Sequence, residues 1–313
     1  MNGIEKNKRI EQNNKQVKPC LKWAGGKGQI LKEIIEYYPF EKDNTITKYA
    51  EPFVGGGAVF FDILNKFNLE EIYISDANEE LINTYQIIRD DINILIDLLS
   101  EIQEEYLKLD IDSRKEYYLQ KRDQFNKLKG RVKLNTYQSI NIKKAALMIF
   151  LNKTCFNGLY RVNKQGFYNV PMGKYKNPII CDEENLRNIS NRIQRVKIIC
   201  GDYKESQDFI DKHTFVYFDP PYRPITKTSS FTAYTHNLFT DKQQLELAEF
   251  IGQINKIGAK FLISNSDPKN INPNDNFFDK IYNKYNIKRV EAIRSINSDK
   301  NGRGKLFELL ISN

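Results

Sequence analysis

Residues 48–76, KYAEPFVGGGAVFFDILNKFNLEEIYISD, decide the fold. A short β-branched and aromatic run, Lys48–Glu51, meets Pro52 and the glycines Gly55, Gly56 and Gly57. An amphipathic stretch, Val59–Phe67, follows, and a second apolar run, Glu71–Ser75, ends at Asp76. Strand, glycine turn, helix, strand is the unit of a parallel sheet. Glycines at such a turn let the backbone bend tightly and approach a ligand closely. An acid at the tip of the second strand, about 20 residues on, is placed to bind ribose hydroxyls. The spacing is not GxGxxG, which disfavours a dinucleotide; Phe53-x-Gly55-x-Gly57 suits a nucleoside-type ligand without a pyrophosphate. Taken alone, the same residues would also serve a tight turn ending in a solvated Asp.

Further runs of strand character lie at Val196–Cys200, Phe215–Phe218, Lys260–Ser264, Arg289–Arg294 and Leu306–Ser312. Their alternation with helical patterns predicts an open, mainly parallel α/β sheet, and the last two, with no helix between them, predict an antiparallel pair at its end. From Glu79 to about Gln124 apolar residues recur at helical spacing (Leu81, Tyr85, Ile88; Ile92, Leu95, Ile96, Leu99), and a further helix is expected over Ile142–Asn152. A segment dense in aromatics, glycines and basic residues, Cys155–Pro178, reads as loops and a hairpin. The expected organisation is a flexible tail over 1–17, a catalytic domain over 18–78 and 182–313, and an inserted helical and hairpin domain over 79–181.

The length of 313 residues suffices for a sizeable core, and 40% hydrophobic against 28% charged residues excludes a disordered or fibrous chain. No apolar run approaches the ~18 residues that cross a bilayer, and Met1–Val17 has no apolar stretch of the kind a secretory signal needs. A net charge of +8 permits a polyanionic partner without requiring one. Cys20, Cys155, Cys181 and Cys200 form no CxxC pair, so reduced intracellular thiols are expected. Two histidines, no HExxH and no GxSxG disfavour metal hydrolysis and Ser-His-Asp chemistry, and no metal is expected.

Two more motifs carry chemistry. Trp23-Ala24-Gly25-Gly26-Lys27 suggests a phosphate loop, but Gly28 stands where the Walker pattern needs Ser or Thr. The most specific is Val216-Tyr217-Phe218-Asp219-Pro220-Pro221-Tyr222. A strand runs into a carboxylate at its carboxyl end, where open α/β sheets bind ligands. Two prolines fix the backbone and remove donors, so carbonyls there are available as acceptors. Asp219 and the Pro220 carbonyl can take both hydrogens of an amino group, and Tyr222 offers a flat face to a planar base.

In this order, the three motifs resemble the Dam-like, α-type DNA adenine-N6 methyltransferases, from about Cys20 to the C-terminus. The insertion also looks like the DNA-reading hairpin of GATC-specific members, at Phe156-Asn157-Gly158-Leu159-Tyr160-Arg161 and Phe167-Tyr168-Asn169-Val170-Pro171. The resemblance implies a Rossmann-like sheet that binds S-adenosylmethionine, with an inserted target-recognition domain. It puts Trp23, Lys27, Phe53, Gly55, Gly57, Asp76, Asp202 and Asp219 at the donor, Lys27 being suited to the donor carboxylate, Asp76 to the ribose and Asp202 to the adenine amino group. Asp219, Pro220 and Tyr222 become the catalytic residues.

Sequence reading of double-stranded DNA would fall to the insertion. Arg161 has the fork geometry for guanine O6 and N7, and Phe156 or Asn157 would fill or contact the space left by a flipped adenine. The resemblance adds Lys22, Leu159 and Pro171 as base or near-base contacts and Tyr175 and Lys176 as phosphate contacts. Thr228–Phe239, with His236 in it, reads as a lid over the flipped base. A monomer in the cytoplasm of a bacterium, or encoded by a phage, with a companion restriction endonuclease as a possible partner, fits the family. The competing readings are an amino-methyltransferase acting on RNA or cytosine, and a non-catalytic DNA-binding regulator with a degenerate donor pocket.

Overall fold

A computed structural model of the chain describes residues 15–23, 25–134, 138–223, 239–293 and 305–313. Most of the tail and of Thr228–Phe239, including His236, lies outside the described residues. The strands are β1 (Lys48–Glu51), β2 (Glu71–Asp76), β3 (Lys197–Cys200), β4 (Thr214–Phe218), β5 (Lys260–Ser266), β6 (Asn286–Ile293) and β7 (Lys305–Ser312). The α-helices are α1 (Leu31–Ile35), α2 (Ala58–Lys66), α3 (Glu79–Asp90), α4 (Ile92–Lys108), α5 (Ile111–Lys127), α6 (Ser139–Thr154), α7 (Glu183–Arg192), α8 (Asp241–Lys256) and α9 (Phe277–Ile281).

The seven strands form one sheet in the order β3-β2-β1-β4-β5-β7-β6. The first five are parallel, and β7 runs antiparallel between β5 and β6. This is the expected Rossmann-like α/β architecture. Side chains alternate along each strand, so neighbours enter different cores. Tyr49, Ile74, Phe215 and Tyr217 join one apolar cluster; Ala50, Tyr73, Val216 and Phe218 join the other. With both faces of the sheet covered, all five residues of β4 are buried, four of them hydrophobic or aromatic.

The strand order reverses between β1 and β4: from β1 the chain steps outward to β2 and β3, and from β4 the other way to β5. Ligands of open α/β sheets bind at the carboxyl ends of strands at such a switch point. The glycine turn after β1 and Asp219 after β4 both stand there.

Helices α4 and α5 pack on α6, and α3 lies between α6 and the edge of the sheet at β2 and β3. Helix α6 is buried on nearly every side, which explains why its sequence carries no polar face. Beyond it, Cys155 pairs with Met172 and Val162 with Tyr168 as antiparallel bridges, giving 155–172 a hairpin course.

Candidate active site

The site is built on the turn from β1 to α2. Gly55 and Gly57 have φ of +48° and +73°. A Cβ on Gly55 would stand 2.9 Å from the Trp23 indole, and one on Gly57 would stand 2.8 Å from the Tyr85 hydroxyl. Both positions therefore demand glycine for conformation and for space. Trp23, Lys27, Glu51, the three glycines, Tyr217 and Asp219 line one cavity.

Asp76 ends β2 beside this turn. Its Oδ2 accepts the Gly55 N–H at 3.1 Å and its Oδ1 the Asn78 N–H at 2.9 Å. Burial pushes its pKa up to about 6, against the pull of those N–H groups. Phe53 does not line the cavity; its ring packs on Tyr203, 5.5 Å between centroids, and edge-on to Phe239. Asp202 is exposed and caps a short 3-10 turn, accepting the Lys204 N–H at 3.0 Å. It lies two residues past Cys200, which pairs with Asp76 across the sheet.

Asp219 is held from two sides. Lys27 Nζ lies 2.6 Å from its Oδ1, and Ser264 Oγ donates to the same oxygen at 3.0 Å. Tyr217 backs this up, its hydroxyl 2.8 Å from Ser264 Oγ. Burial raises the Asp219 pKa, and Lys27 and Ser264 oppose that rise. The Lys27 ammonium is buried, donates to the Gly25 carbonyl at 2.7 Å and sits 4.8 Å from the Tyr222 ring centre. Tyr222 is tied at its other end, donating to Glu308 on β7 at 2.7 Å.

Three residues that stand at the candidate site were not among those expected from the sequence. Glu51 is a buried carboxyl on the cavity wall, bonded by the Tyr49 hydroxyl at 2.5 Å and raised well above the usual carboxyl range by burial. Its signal was an acid at the carboxyl end of β1, directly before Pro52 and the glycine turn. Ser264 and Glu308 gave no local signal, because they reach Asp219 and Tyr222 only through strand pairing.

The expected DNA residues fall mostly in one cluster. Lys22 Nζ stands over the Tyr175 ring at 5.1 Å, and Asn152 clamps the Lys22 backbone and the Gly158 carbonyl. Phe156 is 52% exposed, its N–H bonded to the Pro171 carbonyl at 2.9 Å, and Asn157 has φ of +56°. Leu159 is half-buried and its carbonyl accepts from Tyr168. Arg161 is exposed; Asn169 accepts from its Nε at 2.8 Å. Lys176 is exposed, and its carbonyl accepts from Arg114.

Asp219 of the strand-tip Asp-Pro-Pro-Tyr lines one cavity with the glycine turn, and Asp76 on the next strand holds that turn through the Gly55 N–H; this is the arrangement expected of an amino-group methyltransferase. Residues 23–296 match the D12 class N6 adenine-specific DNA methyltransferase family, and the chain belongs to it. It is 50% identical to the type II methyltransferase M.MjaIII of Methanocaldococcus jannaschii, over 95% of this chain and 99% of that one. It is 35% identical to the DNA adenine methylase of Haemophilus influenzae, over 94% and 92%. The protein is an adenine-specific DNA methyltransferase, and the family implies S-adenosylmethionine as methyl donor. The cavity fits that group in its chemistry: three glycines that leave backbone exposed along one wall, with the Lys27 ammonium and the Asp219 carboxylate on the lining. Among the described residues no group of His, Cys, Asp and Glu is arranged to hold a metal, and no helix is long and apolar enough to cross a membrane.

Proposed function

We propose that the enzyme methylates the exocyclic N6 of adenine in GATC within double-stranded DNA, after flipping the base out of the helix. The observation that carries this is the common wall: Asp219 borders the glycine cavity and is 2.6 Å from Lys27. The amino acceptor and the donor pocket thus meet at one carboxylate.

When bound, S-adenosylmethionine supplies a methyl group on a sulfonium, an excellent leaving group. The chain's own residues do the rest. Asp219 and the Pro220 carbonyl accept the two amino hydrogens and favour a pyramidal nitrogen whose lone pair is withdrawn from the ring. Tyr222 stacks on the extruded base, worth ~1–3 kcal/mol. Gly55 and Gly57 admit the donor, Trp23 covers it, Phe53 supports its edge through Tyr203, and Asp202 receives its adenine amino group. Two of the three N–H groups of Lys27 are engaged by Asp219 and Gly25; the third serves the donor carboxylate. Segment 79–181 is the target-recognition domain, with Arg161 on guanine, Phe156 or Asn157 at the vacated stack, Lys22, Leu159 and Pro171 near the bases, and Tyr175 and Lys176 on phosphates. We place the enzyme in the cytoplasm as a monomer, and the type II methyltransferase names of its relatives make a restriction endonuclease the candidate companion. A monomer suffices because a palindrome can be methylated in two visits.

Methylation of an unmodified plasmid, with every modified base mapped, tests the reading. N6-methyladenine confined to GATC is expected; modified cytosine, or adenine modified regardless of context, would refute it.

Asp76 supplies a second expectation. Only its ionised form accepts from both ribose hydroxyls, and a hydrogen bond to a charged group is worth ~1.5–3 kcal/mol. Asp76→Ala should weaken S-adenosylhomocysteine binding at least about tenfold by calorimetry. In the wild type, affinity should fall as pH drops through about 6, where Asp76 takes up its proton; in Asp76→Asn that step should vanish. An unchanged affinity would move the ribose elsewhere.

A further inference from the structure

Tyr160 stands next to Arg161 in the chain, yet its side chain is turned inward and only 3% exposed. Its ring stacks on Trp23, with centroids 5.2 Å apart and planes 21° apart. Trp23 is the side chain that a Cβ on Gly55 or Gly56 would strike, so it lies directly on the glycine turn. At its other end the Tyr160 hydroxyl donates to Glu80 Oε2 at 3.2 Å and lies against the Asn78 side chain. Asn78 caps α3 through the Leu81 N–H and gives its own N–H to Asp76. Glu80 is fixed from behind by Lys144 of α6, 3.5 Å away, which in turn donates to the Phe125 carbonyl at 2.9 Å. One side chain of the hairpin thus touches Trp23, on the cavity wall, and the Asn78–Glu80 start of α3, whose Asn78 N–H holds Asp76 at the end of β2.

We propose that Tyr160 is a positioning residue through which DNA at the hairpin and donor in the glycine cavity tighten each other's binding; this rests on the assignment of those two sites made above. The physical basis is that Tyr160 has no slack. Any shift of the backbone at Arg161 on engaging DNA is passed to a stacked ring and a bonded hydroxyl rather than absorbed by solvent. A duplex that fixes the hairpin therefore fixes Trp23 and Asp76 in the arrangement that holds the donor. Linkage makes the effect reciprocal: bound donor must favour the DNA-competent hairpin by the same factor.

The test is calorimetric titration of S-adenosylhomocysteine into the full chain, with and without a duplex carrying the mapped methylation site. The wild-type duplex should tighten product binding by about thirtyfold, within the range for coupled sites, and product should tighten the duplex equally. Tyr160→Leu, which loses stack and hydroxyl, should bring both factors to near one. Tyr160→Phe keeps the ring on Trp23 and loses the hydroxyl, so coupling should drop about fivefold, the worth of one ordinary hydrogen bond. Its preference among DNA sequences should stay unchanged, because Arg161 is untouched. A merely structural role would change the melting temperature and leave the coupling factor alone. Mutual tightening absent from the wild type, or a Tyr160→Phe enzyme with the full factor, overturns the proposal even if Tyr160→Leu does not fold. A wild type that fails to methylate DNA would instead overturn the assignment of function, whereas a methylating enzyme without coupling overturns this inference alone.

Discussion

Replacing Asp219 by alanine is expected to lower the single-turnover rate of methyl transfer by about 10³-fold or more. Removing one preorganised group aimed at transition-state charge commonly costs 10²–10³-fold, and Asp219 has a further duty in seating the adenine amino group. The loss should appear in the transfer step more than in donor binding, because its contact tightens as the nitrogen pyramidalises. The same substitution carries a second consequence. Lys27 is buried, and its charge partner is Asp219 at 2.6 Å. Breaking a buried pair by removing one partner costs ~3–5 kcal/mol, since the other charge stays desolvated. Asp219→Ala should therefore melt at lower temperature as well as fail to transfer. The double variant Asp219→Ala, Lys27→Met separates the two effects: it should regain most of the lost stability and none of the activity. Asp219→Asn, which keeps an oxygen acceptor for Lys27 but removes its counter-charge, should be destabilised less than Asp219→Ala and remain severely impaired in transfer. An Asp219→Ala enzyme with full activity would sink the mechanism; one that is inactive but not destabilised would sink the ion-pair argument alone.

The sheet was readable because its strands are short apolar runs closed by acids, glycines or prolines, and because a buried parallel sheet leaves little room for polar side chains. Strand β6 extends three residues further than the sequence suggested, from Asn286 rather than Arg289. The missed residues include Asn286 and Lys288. As the outer strand of the sheet, β6 can carry polar and charged side chains that a central strand could not, and such charges guard an open edge. Candidate residues could be picked out where they lie in one stretch, as in Phe53–Gly57 and Asp219–Tyr222. Glu51 was missed beside such a stretch, and other contacts were hidden because they join distant parts of the chain. Ser264 meets Asp219 because β5 lies beside β4, and Glu308 meets Tyr222 because β7 turns back beside β5. Lys27 was expected at the donor; that it also pairs with Asp219 could not be read from two positions so far apart in the chain.

Arg161→Ala should lose preference for guanine at one position of the target while keeping general affinity for DNA. A bidentate arginine–guanine pair supplies ~1–3 kcal/mol of discrimination, so the wild-type ratio of rates at the cognate site and at a site with that guanine replaced should collapse by up to about a hundredfold. The geometry favours a rigid reader over a searching one. The Arg161 Nε is already fixed on the Asn169 Oδ1 at 2.8 Å, and a weaker bond runs from Nη2 to the Asn169 carbonyl at 3.3 Å. Holding the guanidinium by its Nε edge lowers the entropy cost of presenting its terminal nitrogens to a base. Asn169→Ala should therefore reproduce part of the Arg161→Ala defect without removing the arginine. Lys176 provides the contrast: it is exposed, and a phosphate contact there carries no sequence information. Lys176→Ala should weaken binding to cognate and altered duplexes alike and reduce the slope of log affinity against log salt by about one. Methylation rates on duplexes with one altered base each, paired with binding measured over a salt series, separate the two classes. If Arg161→Ala retains the full guanine preference, or if Lys176→Ala changes preference rather than overall affinity, the roles assigned to the two residues are wrong.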